Sequence, residues 1–250
     1  QEITQWLASN NTSPKTNLPL EHKTTIPNLA VKQQIERLVG SGELDDEVYA
    51  AYQERKEALQ LEEAQMLYDE GMVEEAAELG LPKAQGEMAR RCFYGRDGVA
   101  KDLDKCVEWA KKAAAGGDRY GEYRLGYAYH FGLGGLERDW GAALRLYGWL
   151  AEAGDPGSMN SIGCLHYYGG HGVKQNYATA AKWFRRATMK GDGLGYCNIG
   201  ECYYYGRGVT KDLATARRYI KEAENKGSVK GIGMLGTMMF KGEGGDRKLS

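Results

Sequence analysis

Residues 162–191 read IGCLHYYGGHGVKQNYATAAKWFRRATMKG, and variants of this stretch recur almost five times between residues 82 and 250. Aligning Gly95, Gly132, Gly169, Gly206 and Gly242 gives steps of 37, 37, 37 and 36 residues. The same frame superposes Asp102, Asp139, Asn176 and Asp212. It also superposes Trp109, Leu146, Trp183 and Tyr219, and then Gly117, Gly154, Gly191 and Gly227. A fixed period of about 20–50 residues marks a solenoid, in which each repeat buries its apolar face against the next.

Each unit reads as two helices joined by a glycine-rich loop. In the first helix an apolar column (Met88, Leu125, Ile162, Ile199, Leu235) precedes a small column (Ala89, Gly126, Gly163, Gly200, Gly236). A second small column lies upstream at Ala84, Gly121, Ser158, Gly195 and Gly231. Glycine inside a helix costs about 1 kcal/mol against alanine, so its return at one register predicts close backbone approach between neighbouring helices. Asp102, Asp139, Asn176 and Asp212 are placed to cap the second helix. That helix is expected to bury a small residue (Cys106, Ala143, Ala180, Ala216) and the large one three residues on, which share a face. Gly117, Gly154, Gly191 and Gly227 then end it in a left-handed C-terminal turn.

The run of a small residue, Leu-Gly, an aromatic, Gly-x-Gly-Val, Asp, Ala-x-x-Trp and Ala-x-x-x-Gly resembles the Sel1-like repeat, the longer-period relative of the tetratricopeptide repeat. Ile162 to Gly191 is the clearest copy and Ile199 to Gly227 the next. The resemblance implies a mostly α fold, an α-solenoid of helix-loop-helix repeats with a period of about 37 residues. It also implies a protein-binding scaffold. The repeats are placed at 82–118, 119–155, 156–192, 193–228 and an incomplete 229–250. The last copy stops before its second helix is complete, so the chain is expected to continue beyond Ser250.

Residues 1–39 differ in character, with no glycine and three of the chain's five prolines. Ile3 to Leu7 suits the last turns of a helix with Trp6 and Leu7 inward, and Asn10 to Pro14 suits a turn. Val31, Ile35 and Leu38 follow at helical spacing behind Asn28 as N-cap. The segments Ile3 to Leu7, Ser13 to Leu20 and Ile26 to Glu36 resemble the second half of a U-box, the zinc-free relative of the RING domain. Residues 1–39 are thus expected to form a partial small α+β U-box ahead of the solenoid. Its first loop, with a hydrophobic contact residue and an Asp-Pro-Val turn, is expected upstream of Gln1, which would make this chain a fragment, expected to be inactive alone.

What the resemblance implies is a ubiquitin ligase without a catalytic nucleophile of its own. Such a protein binds a ubiquitin-charged conjugating enzyme and holds the thioester ready for a substrate lysine, which is catalysis by positioning. Carried over by motif, Pro14 belongs to the second loop that contacts the conjugating enzyme. Asn17 occupies the place where many such ligases put an arginine bridging enzyme and ubiquitin. Asparagine donates hydrogen bonds but lacks the charge and fork of arginine, so weaker activation is expected. Trp6 and Ile26 are further candidate contacts, although core packing is the plainer role for both. The alternative reading is a non-enzymatic adaptor of the Sel1-like class.

Between these parts, residues 40–48 read as a linker and helix start, residues 49–70 as a helix, and Val73 to Leu79 as a short helix. Residues 40–81 therefore form a helical linker, and the pair from Ala64 to Leu79 suits a degenerate repeat capping the solenoid. Leu61 to Leu79 holds seven acidic residues and no basic one, which suits a solvated face or, more sharply, a dock for a basic partner.

The formal net charge of −1 gives no general footprint for nucleic acid or an anionic membrane, and no apolar run approaches the roughly 20 residues that span a bilayer. Neither nucleic acid nor membrane is expected as a partner. Five cysteines, an odd number with no C-x-x-C pair, argue against a disulfide framework or zinc site. They read as buried apolar residues in the cytosol or nucleus. His130, His166 and His171 fall in different registers and read as structural, so no metal or cofactor is called for. The loop glycines lack the lysine of a phosphate-binding loop. The pairs at Arg90, Arg185 and Arg217 read as solvated faces, and Tyr94, Tyr168 and Tyr205 as core.

Overall fold

The computed structural model describes residues 37–38, 41 and 46–243. The chain divides into two compact units, Gln1–Gly80 and Leu81–Ser250. The described residues contain eleven helices and no strand. In the first unit, α1 (Asp46–Asp69) and α2 (Val73–Glu78) pack on each other. Ala64, Val73, Ala76 and Ala77 are buried there, and Gln60 Nε2 donates to the Leu79 carbonyl at 2.9 Å. All seven carboxylates between Leu61 and Leu79 are exposed, as both the solvated-face and the docking reading require.

The second unit is the solenoid. Its first helices are α3 (Pro82–Tyr94), α5 (Arg119–Phe131), α7 (Pro156–Tyr168), α9 (Gly193–Tyr205) and α11 (Val229–Lys241). Its second helices are α4 (Leu103–Ala115), α6 (Trp140–Glu152), α8 (Tyr177–Met189) and α10 (Leu213–Asn225). Each is 13 residues long. A lone helix of that length is marginal in water, so every helix here depends on the packing of its neighbours.

The caps are local and regular. Asp102, Asp139, Asn176 and Asp212 accept from backbone amides of the second helices, as at Asp139 Oδ1 from Ala142 N at 2.8 Å. Four of the five first helices are capped by side chains too, α3 being the exception with Leu81 at its N-cap. Asp118, Asp155, Asp192 and Ser228 each accept from the amide three residues on. Each follows directly on Gly117, Gly154, Gly191 or Gly227, whose φ values of +75° to +94° turn the chain from one repeat to the next.

The two small columns serve different contacts. At Gly121, Gly195 and Gly231 a Cβ would strike the alanine and nearby backbone of the preceding repeat's second helix (Ala113, Ala187, Ala223). This is the close backbone approach that the register predicts. At Gly126, Gly163 and Gly200 the neighbour is instead a side chain of the same repeat's second helix (Tyr147, Phe184, Ile220). Those side chains are fully buried, and burying one such side chain contributes roughly 1.5–3 kcal/mol. The sequence reading placed the large buried residue one position early. Trp109, Leu146, Trp183 and Tyr219 are only half-buried, because the helix turns its next residue into the core.

That core is a string of small clusters rather than one mass. Ala89, Cys92, Cys106 and Ala110 form one. Trp140, Tyr147, Met159, Ile162 and Leu165 form the next. Phe184, Ile199 and Cys202 follow, then Ile220, Leu235 and Met238. First helices also touch first helices of adjacent repeats, α3 with α5, α7 with α9 and α9 with α11. First helices therefore lie closer together along the array than second helices, and they line its inner side.

Candidate partner-binding face

Residues i, i+4, i+7 and i+11 of each first helix share one face. On α3 these are Lys83, Glu87, Arg90 and Tyr94; on α5 they are Tyr120, Arg124, Tyr127 and Phe131. On α7 they are Gly157, Ser161, Cys164 and Tyr168, and on α9 Leu194, Asn198, Glu201 and Tyr205. The opposite face, with Met88, Cys92, Ile162, Leu165 and Ile199, is buried. The first face is the more open one, although Arg124 and Ser161 on it are buried, and its composition changes from repeat to repeat.

One column of this face is constant. Tyr94, Phe131, Tyr168 and Tyr205 stand 37 residues apart and are 41% to 61% exposed. The expectation that Tyr94, Tyr168 and Tyr205 are core residues is therefore wrong. Each is the last residue of its helix, ahead of the glycine cap, where the ring overhangs the loop instead of entering the core. A row of exposed rings costs little rotamer entropy to immobilise and offers large contact area, the property that enriches tyrosine at interfaces.

Between the rings the polar groups form bonded chains across repeats. Asn198 Nδ2 donates to Asn160 Oδ1 at 2.8 Å, and Lys230 Nζ donates to Asn198 Oδ1 at 2.8 Å and Glu201 Oε2 at 2.7 Å. Tyr167 Oη donates to Glu201 Oε1 at 3.1 Å, and Arg207 donates in turn to Tyr167 Oη. Cys164, Tyr168, Asn198 and Glu201 line a shallow pocket between α7 and α9. At the α3 end, Glu87 accepts from Arg90 at 2.6 Å and from Arg91 at 3.3 Å, while Asp97 lies 3.3 Å from Arg90. The hydrogen bond from Arg90 is the main cause holding the Glu87 carboxyl below its usual range.

Arg124, on the same face, has no such carboxylate among the described residues. It is 8% exposed, and its guanidinium carbon sits 4.3 Å from the Phe93 ring centre, 4.8 Å from that of Tyr120 and 5.1 Å from that of Tyr94. Nε donates to Tyr120 Oη at 2.6 Å and Nη2 to Tyr94 Oη at 2.9 Å. Burial pulls the guanidinium pKa down, the two tyrosine hydroxyls push it up, and the net direction is upward.

The other sequence candidates sort as follows. Trp6, Pro14, Asn17 and Ile26 lie outside the described residues. His130 packs against Phe131 and Trp140, and His171 against Trp140 from another repeat. Among the described residues no group of three His, Cys, Asp or Glu side chains is placed to hold a metal ion. The five cysteines are free thiols. Burial pushes Cys106, Cys164 and Cys197 up to about 11 and Cys202 up to about 12, so these thiols stay protonated at neutral pH. The arginine pairs are more engaged than solvated faces: Arg185 Nη2 donates to Tyr203 Oη at 2.6 Å, and Arg186 lies over the Trp183 ring at 4.2 Å. No described helix is long and apolar enough to cross a membrane.

Two features missed in the sequence were legible there. The aromatic directly before four of the five aligned loop glycines marks the ring column, Lys241 standing there in the last copy. Arg124 falls in a column that varies through Glu87, Ser161, Asn198 and Met234, and a position that varies in this way between constant packing positions is not part of the repeated core.

Repeated helix pairs, paired caps and an open first-helix lining define a scaffold of the tetratricopeptide-like solenoid class. The family model for the Sel1 repeat matches residues 82–118, 119–155, 156–192 and 193–228, and the chain belongs to that family. The family model for the U-box domain matches residues 1–42, so a U-box segment precedes the Sel1 repeats. A Sel1 repeat protein from Oxalobacter formigenes superposes with a TM-score of 0.60 at 30% identity, over 74% of this chain and 77% of that one. The c5321 protein of uropathogenic Escherichia coli, a protective antigen displaying an SLR fold, superposes with a TM-score of 0.58 at 28% identity, over 77% of this chain and 43% of that one. Among curated proteins, the Arabidopsis thaliana ERAD-associated E3 ubiquitin-protein ligase component HRD3B is 36% identical over 85 residues, which is 34% of this chain and 13% of that relative.

Proposed function

We propose that this chain belongs to a U-box ubiquitin ligase whose solenoid recruits the protein to be modified. The observation that carries the reading is the joining, in one chain, of a U-box match at 1–42 to four Sel1 repeats. The first-helix lining supports the second half of it: exposed rings and cross-bonded polar groups suit recognition of another protein. HRD3B, itself described as a ligase component, points to the same area of biology. The U-box segment would take a ubiquitin-charged conjugating enzyme, with Pro14 and Asn17 as its contacts and Trp6 and Ile26 as further ones. Five free thiols suit a reducing compartment, the cytosol or the nucleus.

The test is discharge of ubiquitin from a panel of charged conjugating enzymes by the full-length protein. Discharge should fall about tenfold with Pro14→Ala, the loss of a well-packed contact, at unchanged helical content by circular dichroism. Unaltered discharge would remove Pro14 from the site. Asn17, in place of a bridging arginine, favours a second reading in which the protein is a non-enzymatic adaptor. That reading holds if the wild-type protein discharges no enzyme in the panel yet still captures partners.

A further inference from the structure

We infer that Arg124 anchors a carboxylate-binding site on the first-helix face, and that it receives an aspartate or glutamate side chain of a protein segment laid along the solenoid. This deepens the recruiting role proposed above and rests on it.

Three observations carry it. The first is charge without a counter-charge. Arg90 and Arg91 share Glu87 and Asp97, whereas no carboxylate among the described residues pairs with Arg124. A buried cation is costly unless it is paired, and the surrounding rings offset only part of that cost.

The second is unused donors. Nη1 makes no hydrogen bond with any described residue, and Tyr94 and Tyr120 accept from the guanidinium without donating to a described acceptor. A hydroxyl that accepts still has a proton to give. One carboxylate entering here would meet guanidinium N–H groups and phenolic O–H groups already fixed in place.

The third is the setting. Exposed Tyr94 lies beside the guanidinium from α3, and Phe131, also exposed, stands two turns further along α5 next to Tyr127, so residues beside the acidic one would find rings to cover. A planar guanidinium matches a carboxylate in shape as well as sign.

The test uses the full chain, with a display library of random peptides selected in parallel on the wild type and on Arg124→Met. The wild-type pool should converge on an acidic residue at one position, and the Arg124→Met pool should not. For a selected peptide, changing that acid to its amide should weaken binding by about tenfold or more, as expected for a charge-assisted hydrogen bond. The same change should cost nothing on Arg124→Met, so the two losses do not add. A merely structural arginine would not produce that coupling. Should Arg124→Met melt below the assay temperature, Arg124→Lys takes its place. The lysine keeps charge without the fork, and the acid-to-amide loss should shrink. Binding peptides without an acidic position overturn the carboxylate site and leave the recruiting face standing, as does an acid-to-amide loss that persists in the variant. A wild-type pool with no binding peptide overturns the recruiting face itself.

Discussion

His130 shows how burial sets the behaviour of one side chain. It occupies the column of Phe93, Tyr167 and Tyr204, its ring stacked 4.1 Å from Phe131 and edge-on to Trp140. Burial, helped by the Arg138 charge, pushes its pKa down to about 4, and Nδ1 has no hydrogen-bond partner among the described residues. In the unfolded chain it titrates near 6.5. Above that pH both states are neutral and the residue makes stability pH-independent. Below it the unfolded chain takes up a proton that the folded chain refuses until about pH 4. Stability therefore falls with pH through this window, by up to roughly 3 kcal/mol. His130→Phe, the residue its own column suggests, should remove that part of the slope. Thermal melts at pH 7 and pH 4.5 check it: the wild type should lose more than the variant, and parallel losses would refute the assignment. The structural role of His130 was readable from its register, whereas its protonation behaviour depended on rings supplied by α6.

At the scale of the helix, the sequence announces its caps and its small columns, but not what each small residue meets. Gly163 faces the Phe184 ring, with an added Cβ 2.5 Å from the nearest ring carbon; Gly236, at the same register, meets nothing within 4 Å among the described residues. Alanine favours a helix over glycine by about 1 kcal/mol at either place, but overpacking a buried ring costs typically 1–3 kcal/mol. Gly163→Ala should therefore destabilise by up to about 2 kcal/mol, and Gly236→Ala should stabilise by up to about 1 kcal/mol. Urea titrations of both variants measure the two signs, and like signs would contradict the packing described here. The same distinction explains the displaced aromatic. A three-residue spacing cannot say whether Trp183 or Phe184 points inward, because both lie within one helical turn of the apolar stripe. Phe184 enters because the glycine at 163 leaves room for it.

Across the whole array, stability is close to a sum over neighbouring repeats. The central cluster around Trp140, Tyr147, Ile162 and Leu165 is covered from both sides. In contrast, α11 buries only Gly231, Leu235 and Met238 and leaves Phe240 92% exposed. In a chain cut at Ser250, hydrogen exchange should accordingly be slowest in α6 to α8 and fast along α11. Equal protection of α7 and α11 in that piece would contradict the packing described here.

The period, the helix pairs, the caps and the α-solenoid class were determined by the sequence alone, because each rests on residues within about 40 positions that recur in register. The resemblance of residues 1–39 to a U-box was equally a matter of spacing. The sequence carries a signal for the ring column, but how far those rings are exposed, and that the buried Arg124 pairs with no carboxylate among the described residues, was decided only by the tertiary structure. Tyr94 and Arg124 are 30 residues apart and meet because α3 and α5 lie side by side. Whether a tyrosine is core or lining depends on how far each helix is rotated against its neighbours. That rotation is set by the summed packing of Tyr147, Phe184 and Ile220 on their glycines, a property of pairs of helices that no single repeat carries by itself.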